Sequence, residues 1–445
     1  MACAIVRVMS AARNAGAGHV NGGLRGTVSS PTTPSLLSKL DRWCLSQLAR
    51  HLPGAQCRLQ LWNGATASCS ELPPAGTITI RDRATLWRLM RRPELAFGEG
   101  YVDNAIEVSG DLPRMMASIN LALTATEARQ TRRRPIRPSR PVVASARENI
   151  HRHYDLGNEF FRLWLDPAMV YTCAYYEQPV MELEQAQQAK LEYICRKVRL
   201  RAGDRVIETG SGWGALAIHM ARHHGALVRA YNISEEQLAY AREEAVRQGV
   251  ADRVTFINGD FRSVTGQCDV FVSIGMLEHI GAAEYGTLGE IIDRTIHSEH
   301  GRGLLHFIGR NRPAPVNEWT RRYIFPGTYV PVISEVTSAV FEPWNISVVD
   351  VENLRLHYAA TLRDWRERFE RASDRVAEMF DDRFVRMWRL YLACAEAAFT
   401  SGDHELFQMT FGRAADNDVR WTRADLYAGQ PSPPSPYAEA DRAVM

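Results

Sequence analysis

The segment Val206-Ile-Glu-Thr-Gly-Ser-Gly-Trp-Gly214 carries the first pattern with chemical content. Gly210, Gly212 and Gly214 alternate after an apolar run that ends on an acid, Glu208. Glycines at a strand-to-helix turn let the backbone approach a ligand, and the helix start presents free N–H groups. A tight turn without a ligand is the plainer alternative. Glu278, followed by His279, lies just beyond a second apolar run, DVFVSIG, and His306 sits inside a third, GLLHFIG. A carboxyl and an imidazole at strand ends can exchange protons with a substrate. They can equally be a first-turn helix acid and a satisfied core histidine. Cys173 and Cys394 are candidate thiols or small buried hydrophobes. His151/His153 and His219/His223 have metal-like spacing, but no third ligand converges from nearby sequence, so no metal is expected.

These residues need a scaffold, and the periodicity supplies one. DRVIETG, ALVRAYN, RVTFIN, DVFVSIG and GLLHFIG read as short strands, separated by helices such as WGALAIHMARHHG and SEEQLAYAREEAVRQG. That alternation predicts an α/β fold, a mostly parallel sheet with helices on both faces. Ligands of such sheets lie beyond the carboxyl ends of the strands. A dinucleotide enzyme would place an acid at the end of the second strand. Asn232 stands there instead, with Gln237 near it, and both can hydrogen-bond a nucleoside or amino-acid group. Ser234 and Gln237 also match a capping box. Gly259-Asp260-Phe261 after the third strand can edge an adenine, or Asp260 can be a turn aspartate.

The chain divides into five stretches. Residues 1–34 are acid-free and Gly/Ser-rich. Their apolar run is broken by Arg7, which does not suit a secretory signal; a floppy N-terminus fits better, and an organelle transit peptide also fits. Residues 35–128 read as a small α+β unit: a helix (LLSKLDRWCLSQLARHL), two strands, then helix, turn, helix over 84–110. Residues 129–147 form a linker whose first part, RQTRRRPIRPSRP, combines three prolines with six arginines. It reads as a solvated hinge or as a segment drawn to an anionic bilayer, at about 1 kcal/mol per base; it lacks the aromatic interleaving of a nucleic-acid binder. Residues 148–415 carry the chemistry, and 416–445 read as a disordered proline-rich tail.

The totals set outer limits. With 45% hydrophobic and 23% charged residues the chain is ordinary globular material. No apolar stretch reaches the roughly 20 residues of a membrane span. The eight cysteines form no C-x-x-C pair, which favours reduced, cytoplasmic thiols over a disulfide scaffold. The net charge of +2 conceals the basic linker.

Several motifs together resemble the cyclopropane-fatty-acyl-phospholipid synthases, class I S-adenosylmethionine-dependent methyltransferases, and the mycolic acid cyclopropane synthases. They are His151-Arg-His-Tyr-Asp-Leu-Gly-Asn158, Tyr171-Thr-Cys-Ala-Tyr-Tyr176, Gly275-Met-Leu-Glu-His-Ile-Gly281, Leu305-His-Phe-Ile-Gly309, Tyr323-Ile-Phe-Pro-Gly327 and Leu356-His-Tyr-Ala-Ala-Thr-Leu362. The match runs from about 148 to 413 in unbroken order, and family members in bacteria also carry a small N-terminal domain. The G-x-G-x-G loop itself is similar to the S-adenosylmethionine loop of that class.

The resemblance implies methyl transfer to a cis double bond of a phospholipid acyl chain, then proton loss from a carbocation to close a cyclopropane. It implies S-adenosylmethionine near Tyr171, Thr172, Glu208, Gly210, Ser211, Gly212, Trp213, Gly214, Asn232, Ser234, Gln237, Asp260 and Phe261. It also implies a bicarbonate base held by Cys173, Glu278, His306, Ile308 (through backbone) and Tyr358, with Cys394 as a further active-site residue. Such a reaction needs an oriented sulfonium, aromatic rings near the cation, for which Tyr154, Trp213, Phe307 and Tyr358 are candidates, and a proton acceptor. Burial would raise the Glu278 pKa and so let it share a proton with the anion. The implied partners are unsaturated phospholipids and an anionic membrane surface at its cytoplasmic face, with a homodimer plausible. Glu208, Ser211, Asn232 and Thr172 depart from the family's usual Asp, Cys, Thr and Ser. The alternatives that stay open are acyl-chain methylation without ring closure, a small-molecule N-methyltransferase, and a lipid-binding pseudoenzyme.

Overall fold

A computed structural model describes residues 36–131 and 156–428. The expected leader 1–34, most of the arginine linker, and the motif residues His151, His153 and Tyr154 lie outside them. The chain forms two compact units.

The first unit begins with α1 (Leu36–Arg50), then β1 (Cys57–Leu61), β2 (Thr66–Ser68) and β3 (Gly76–Ile80). It continues through α2 (Arg83–Arg91), α3 (Pro93–Val102), β4 (Ile106–Gly110) and α4 (Leu112–Thr131). Its sheet has the order β2-β1-β3-β4. Leu59, Ile78, Ile80 and Ile106 alternate into one apolar core with Cys44, Leu45 and Leu86 from the helices. Arg83 binds the buried Asp41 bidentately at 2.8 and 2.9 Å, fastening α2 to α1. Two expectations change here. No turn separates α2 from α3, because Pro93 opens the second helix directly after Arg92, where proline's missing N–H is no loss. IEVSG is a strand, antiparallel to β3, since Ile106 pairs into the sheet and Gly110, at φ 101°, has no room for a Cβ.

The same unit also takes in residues 317–319 and 377–397. The methyltransferase stretch expected at 148–415 is therefore not one contiguous structural block. Trp319 packs where Gly98 lacks a side chain: a Cβ there would lie 2.2 Å from the indole. Arg386 stacks over Tyr101 at 4.3 Å and donates to its carbonyl at 2.7 Å.

The second unit holds the predicted parallel sheet. After α5 (Asn158–Arg162) and α6 (Leu183–Lys197) come β5 (Arg205–Thr209), α7 (Ala215–His224), β6 (Leu227–Asn232), α8 (Glu235–Arg247) and β7 (Val254–Asn258). Then follow β8 (Val270–Ile274), α9 (Leu277–Ile280), α10 (Tyr285–Thr295), β9 (Arg302–Gly309), β10 (Ile346–Asn353), α11 (Arg355–Arg371) and β11 (Glu405–Arg413); α12 (Asp382–Ser401) precedes β11 in the chain, and its residues up to Ala397 belong to the first unit. Strand order is β10-β11-β9-β8-β5-β6-β7. β5 to β9 are mutually parallel, and β11 is antiparallel to both β9 and β10.

The central strands β5, β8 and β9 are buried on both faces, so their two side-chain rows feed two cores. Val206, Val270, Val272 and Leu304 join α6, α7 and α8. Ile207, Phe271, Leu305 and Phe307 join α10 on the other side. The tail expected to be disordered from 416 is partly ordered. Arg420 donates to the Lys197 carbonyl at 2.8 Å and pairs with Asp425 at 2.7 Å, while Leu426 is buried in a short helix, Ala424–Ala428. Among the described residues no helix is long and apolar enough to cross a membrane.

Candidate active site

The order of strand addition reverses between β5 and β8, which remain parallel: β6 and β7 extend one way, β8 and β9 the other. The carboxyl ends of β5 and β8 therefore flank the topological switch point. The glycine loop follows β5 and Glu278 follows β8, so the two motifs meet by topology.

Gly210, Gly212 and Gly214 all have positive φ, at 78°, 53° and 84°. At Gly214 a Cβ would also lie 2.7 Å from Phe256 and 2.8 Å from Ala241, which fixes glycine by packing as well as by backbone. At Gly212 it would meet nothing within 4 Å, so that loop face is open to a ligand. Asn232 ties the loop down, donating to the Gly212 carbonyl at 3.1 Å and to Gln237 Oε1 at 2.8 Å. Ser234 caps α8 by accepting from the Gln237 N–H. The expected capping box is only half made, because the Gln237 side chain turns to Asn232 instead. Trp213 donates to Asn158 at 2.6 Å. Asp260 caps the short turn 261–263, and its carboxylate pairs with Arg262 at 2.7 and 3.1 Å. Phe261 is buried in the core.

Strand alternation decides which residues face the ligand. Glu208 shares a face with Val206, His306 with Leu304, and Gln408 is the cross-strand partner of His306. On that face α6 brings Lys190 within 2.9 Å of Thr172 Oγ1. Lys190 is buried, which lowers its pKa to about 8, against the pull of Asp166, Cys173 and Glu208. Burial raises Glu208 to about 8, against Lys190 and the Ala217 N–H. Glu208 Oε2 and Ser211 Oγ are buried without a protein partner. An orphaned carboxylate oxygen, an orphaned hydroxyl and an open glycine face fit the polar end of S-adenosylmethionine, which Glu208, Ser211 and the loop backbone would hold.

The second half of the site lies beyond β8. Glu278 is buried in the first turn of α9; Oε1 accepts from the Ile308 N–H at 2.6 Å, while Oε2 has no protein partner. Burial raises its pKa to about 7, opposed by the backbone donors. His306 is fully buried and held neutral, well below its ordinary pKa. Its Nδ1 lies 3.1 Å from Gln408 Nε2; with that amide N–H as the donor, the ring proton falls on Nε2, a nitrogen without a protein partner. Cys173 is buried, with its thiol pushed far up by burial. The Ala174 N–H donates to Thr361 on α11, one turn from Tyr358.

Tyr358 meets Trp365 edge-on at 6.0 Å, and Trp365, Tyr171, Trp164 and Phe161 continue an aromatic wall to Trp213. Phe307 does not join that wall. It points to the opposite sheet face from His306 and packs on Phe407 at 5.8 Å. Cys394 belongs to the first unit; it is half-buried, and desolvation pushes its thiol up to about 12.

Sequence reasoning missed Lys190, Gln408 and Thr361. Lys190 left one signal: it is among only three lysines in an arginine-rich chain, with Lys39 and Lys197. Thr361 lies inside the Leu356–Leu362 motif but carries no assigned role there, and Gln408 left no signal.

A switch-point glycine loop with a buried carboxylate behind it defines a class I S-adenosylmethionine-dependent methyltransferase. Residues 143–409 match the mycolic acid cyclopropane synthetase family, and the chain belongs to that family. A second profile, described only as a domain of unknown function, matches residues 44–126. A probable fatty acid methyltransferase of Pseudomonas putida is 35% identical over 390 residues, 85% of this chain and 97% of the relative. The cyclopropane-fatty-acyl-phospholipid synthase of Escherichia coli K12 is 39% identical over 272 residues, 61% of this chain and 69% of the relative. A crystal structure of a mycolic acid cyclopropane synthase with SAH and CTAB superposes with a TM-score of 0.57 at 26% identity, covering 60% of this chain and 98% of that one.

Proposed function

We propose that the enzyme alkylates a cis double bond of an unsaturated phospholipid acyl chain and closes a cyclopropane. When bound, S-adenosylmethionine supplies an electrophilic methyl group. The chain's own task is to orient the alkene against it, keep water out, and take one proton. Tyr171, Trp213, Trp365 and Tyr358 provide a dry, electron-rich wall, which favours positive charge on an acyl chain over attack by water.

The observation that carries the reading is the pair Glu278 and His306. One buried carboxyl has a pKa near neutrality and a free oxygen; one buried imidazole has its Nε2–H unpartnered. Together they suit a small oxyanion of the bicarbonate class, with His306 Nε2–H donating to it and Glu278 relaying the proton outward. Bicarbonate would supply the base. Retention of the Cys173, Glu278, His306 and Tyr358 set favours ring closure. The relative named a probable fatty acid methyltransferase, matched along most of the chain, supports a second product, a methyl or methylene branch formed when the cation is quenched differently.

The arginines between 129 and 140 support transient docking on an anionic bilayer, weakened by salt. The test is incubation with vesicles of unsaturated phospholipid and methyl-labelled S-adenosylmethionine, followed by mass analysis. One added CH2 that resists mild hydrogenation is the expected product. A labelled product that takes up H2 on mild hydrogenation, keeping its label as a methyl branch, supports the second product. No label in lipid overturns both.

A further inference from the structure

The helix α7 that grows out of the glycine loop ends in three basic residues, Arg222, His223 and His224. His219 and His224 of this helix face Glu192 and Cys195 of α6. Glu192 Oε2 lies 3.3 Å from His219 Nε2 and 2.9 Å from His224 Nε2. Cys195 Sγ and the two imidazole nitrogens all lie within 4.8 Å of one another. Cys195 is buried, and its side of α6 packs into the core of the second unit.

We propose that Cys195, His219, His224 and Glu192 form a structural site for a borderline-soft divalent cation of the zinc class. Two nitrogens, one sulfur and one carboxylate oxygen make a tetrahedral donor set typical of that ion. Ligands bonded at roughly 2.0–2.3 Å stand within about 4 Å of one another; Cys195, His219 and His224 are already clustered, and Glu192, which lies outside that group and touches the two imidazoles, must rotate in as the fourth donor. The charges also balance: a thiolate and a carboxylate neutralise a 2+ ion between two neutral imidazoles. Binding replaces the Cys195 thiol proton, which is released to solvent, and moves the two imidazoles from Glu192 to the metal. Glu192 and Cys195 are one turn apart on a single face of α6, while His224 is the last residue of α7 before its Gly225 cap. The ion would thus pin the end of α7 to α6.

All four candidate ligands come from protein side chains, leaving no open position for a reacting water, so the role is structural. It is separate from Glu278 and His306. The pattern was unreadable from the histidines alone. The spacing of His219 and His223 suggests a pair, but the structure pairs His219 with His224 and takes the sulfur from a helix more than twenty residues earlier in sequence.

The test uses the full chain without a histidine tag. Metal analysis after gel filtration should find one zinc per chain, and cobalt substitution should give a sulfur-to-cobalt charge-transfer band in the near ultraviolet. Cys195→Ser should abolish the band, and the double variant His219→Gln/His224→Gln should bring the metal content to background. Chelation of the wild type should lower Tm by several degrees, reversed by added zinc. A wild-type chain that takes up no zinc or cobalt, or one whose cobalt complex lacks the thiolate band, overturns the proposal without any variant. Undiminished uptake by folded variants overturns it as well.

Discussion

Glu208 and Glu278 are two buried carboxylates at the ends of neighbouring parallel strands, yet their surroundings differ in kind. Glu208 has a buried cation in its field, Lys190, and lies under the glycine loop. Glu278 has no cation among the causes of its shift, only the Ile308 N–H and its own backbone amide. The lysine favours the ionised form of Glu208, and an ionised carboxylate with an unpartnered oxygen can accept hydrogen bonds from the amino end of a ligand. A carboxyl with a pKa near 7 and no counter-charge is suited to change its proton during turnover. The comparison predicts that the first residue governs binding and the second governs rate.

The largest expected effect tests the second half. Glu278→Gln should lower kcat by about 10³-fold, within the usual range for removing a proton-transfer group. Calorimetric S-adenosylmethionine affinity should stay within about twofold, since Gln keeps the shape and can still accept from Ile308 N–H. Full activity would remove Glu278 from the mechanism, and lost affinity would erase the contrast with Glu208.

The same substitution has a stability consequence whose sign is distinctive. The Glu278 pKa rises from its ordinary 4.5 to about 7 on folding. The folded chain therefore binds more protons than the unfolded chain between those values, and stability falls as pH rises through that window. Above pH 7 the ionised group destabilises the fold by about 3 kcal/mol. Glu278→Gln should accordingly be more stable than the wild type at pH 8, by up to about 3 kcal/mol less whatever hydrogen bonding is lost. It should show little difference at pH 4. Denaturant midpoints at the two pH values measure this. Equal destabilisation at both would mean that the carboxyl is a structural acid rather than a strained proton carrier.

Glu208→Gln should act on the other side. Losing a charge-assisted contact is worth about 1.5–3 kcal/mol, so S-adenosylmethionine affinity should fall roughly 10- to 100-fold, while kcat at saturation changes little. Because Glu208 sits near pKa 8, a cationic ligand must displace its proton at neutral pH. Wild-type affinity should therefore rise between pH 6 and 8, and this slope should vanish in the variant. Titration in buffers of different ionisation enthalpy reads the released proton directly.

Much of this arrangement is visible in the sequence, and what is missing has a common cause. Strands β5 to β9 are short, mostly apolar runs, and β8 and β9 are buried on both faces, so they announce themselves, and the glycine spacing marks the loop. IEVSG and ELFQMTFGR do not, because each alternates too weakly to separate from helix by period alone. β11 is the more costly omission, since it carries Gln408. Lys190 and Gln408 are each set in an ordinary local context, one in a helix and one in a strand. Their meaning comes from which neighbour lies across the fold, and no spacing rule encodes that. Phe307 fails as a cation wall for the opposite reason: strand alternation puts its neighbour His306 on the face of Gln408 and turns Phe307 onto Phe407.

The smallest expected effect concerns Gln408, whose amide meets His306 and whose expected influence runs through that ring. Its amide donates to Nδ1 and so keeps the proton on Nε2. Gln408→Leu removes that preference, a loss of about 1 kcal/mol, or roughly a fivefold fall in kcat, with affinity for S-adenosylmethionine unchanged. Gln408→Glu should do more, because a carboxylate draws the proton to Nδ1 and turns Nε2 into an acceptor facing the anion site. The ring nitrogen shifts of His306 in an isotope-labelled chain report the tautomer independently of activity. If Glu at 408 moves the proton to Nδ1 and leaves the rate unchanged, His306 does not donate to the anion, and the division between a binding carboxylate and a proton-handling pair rests on Glu278 alone.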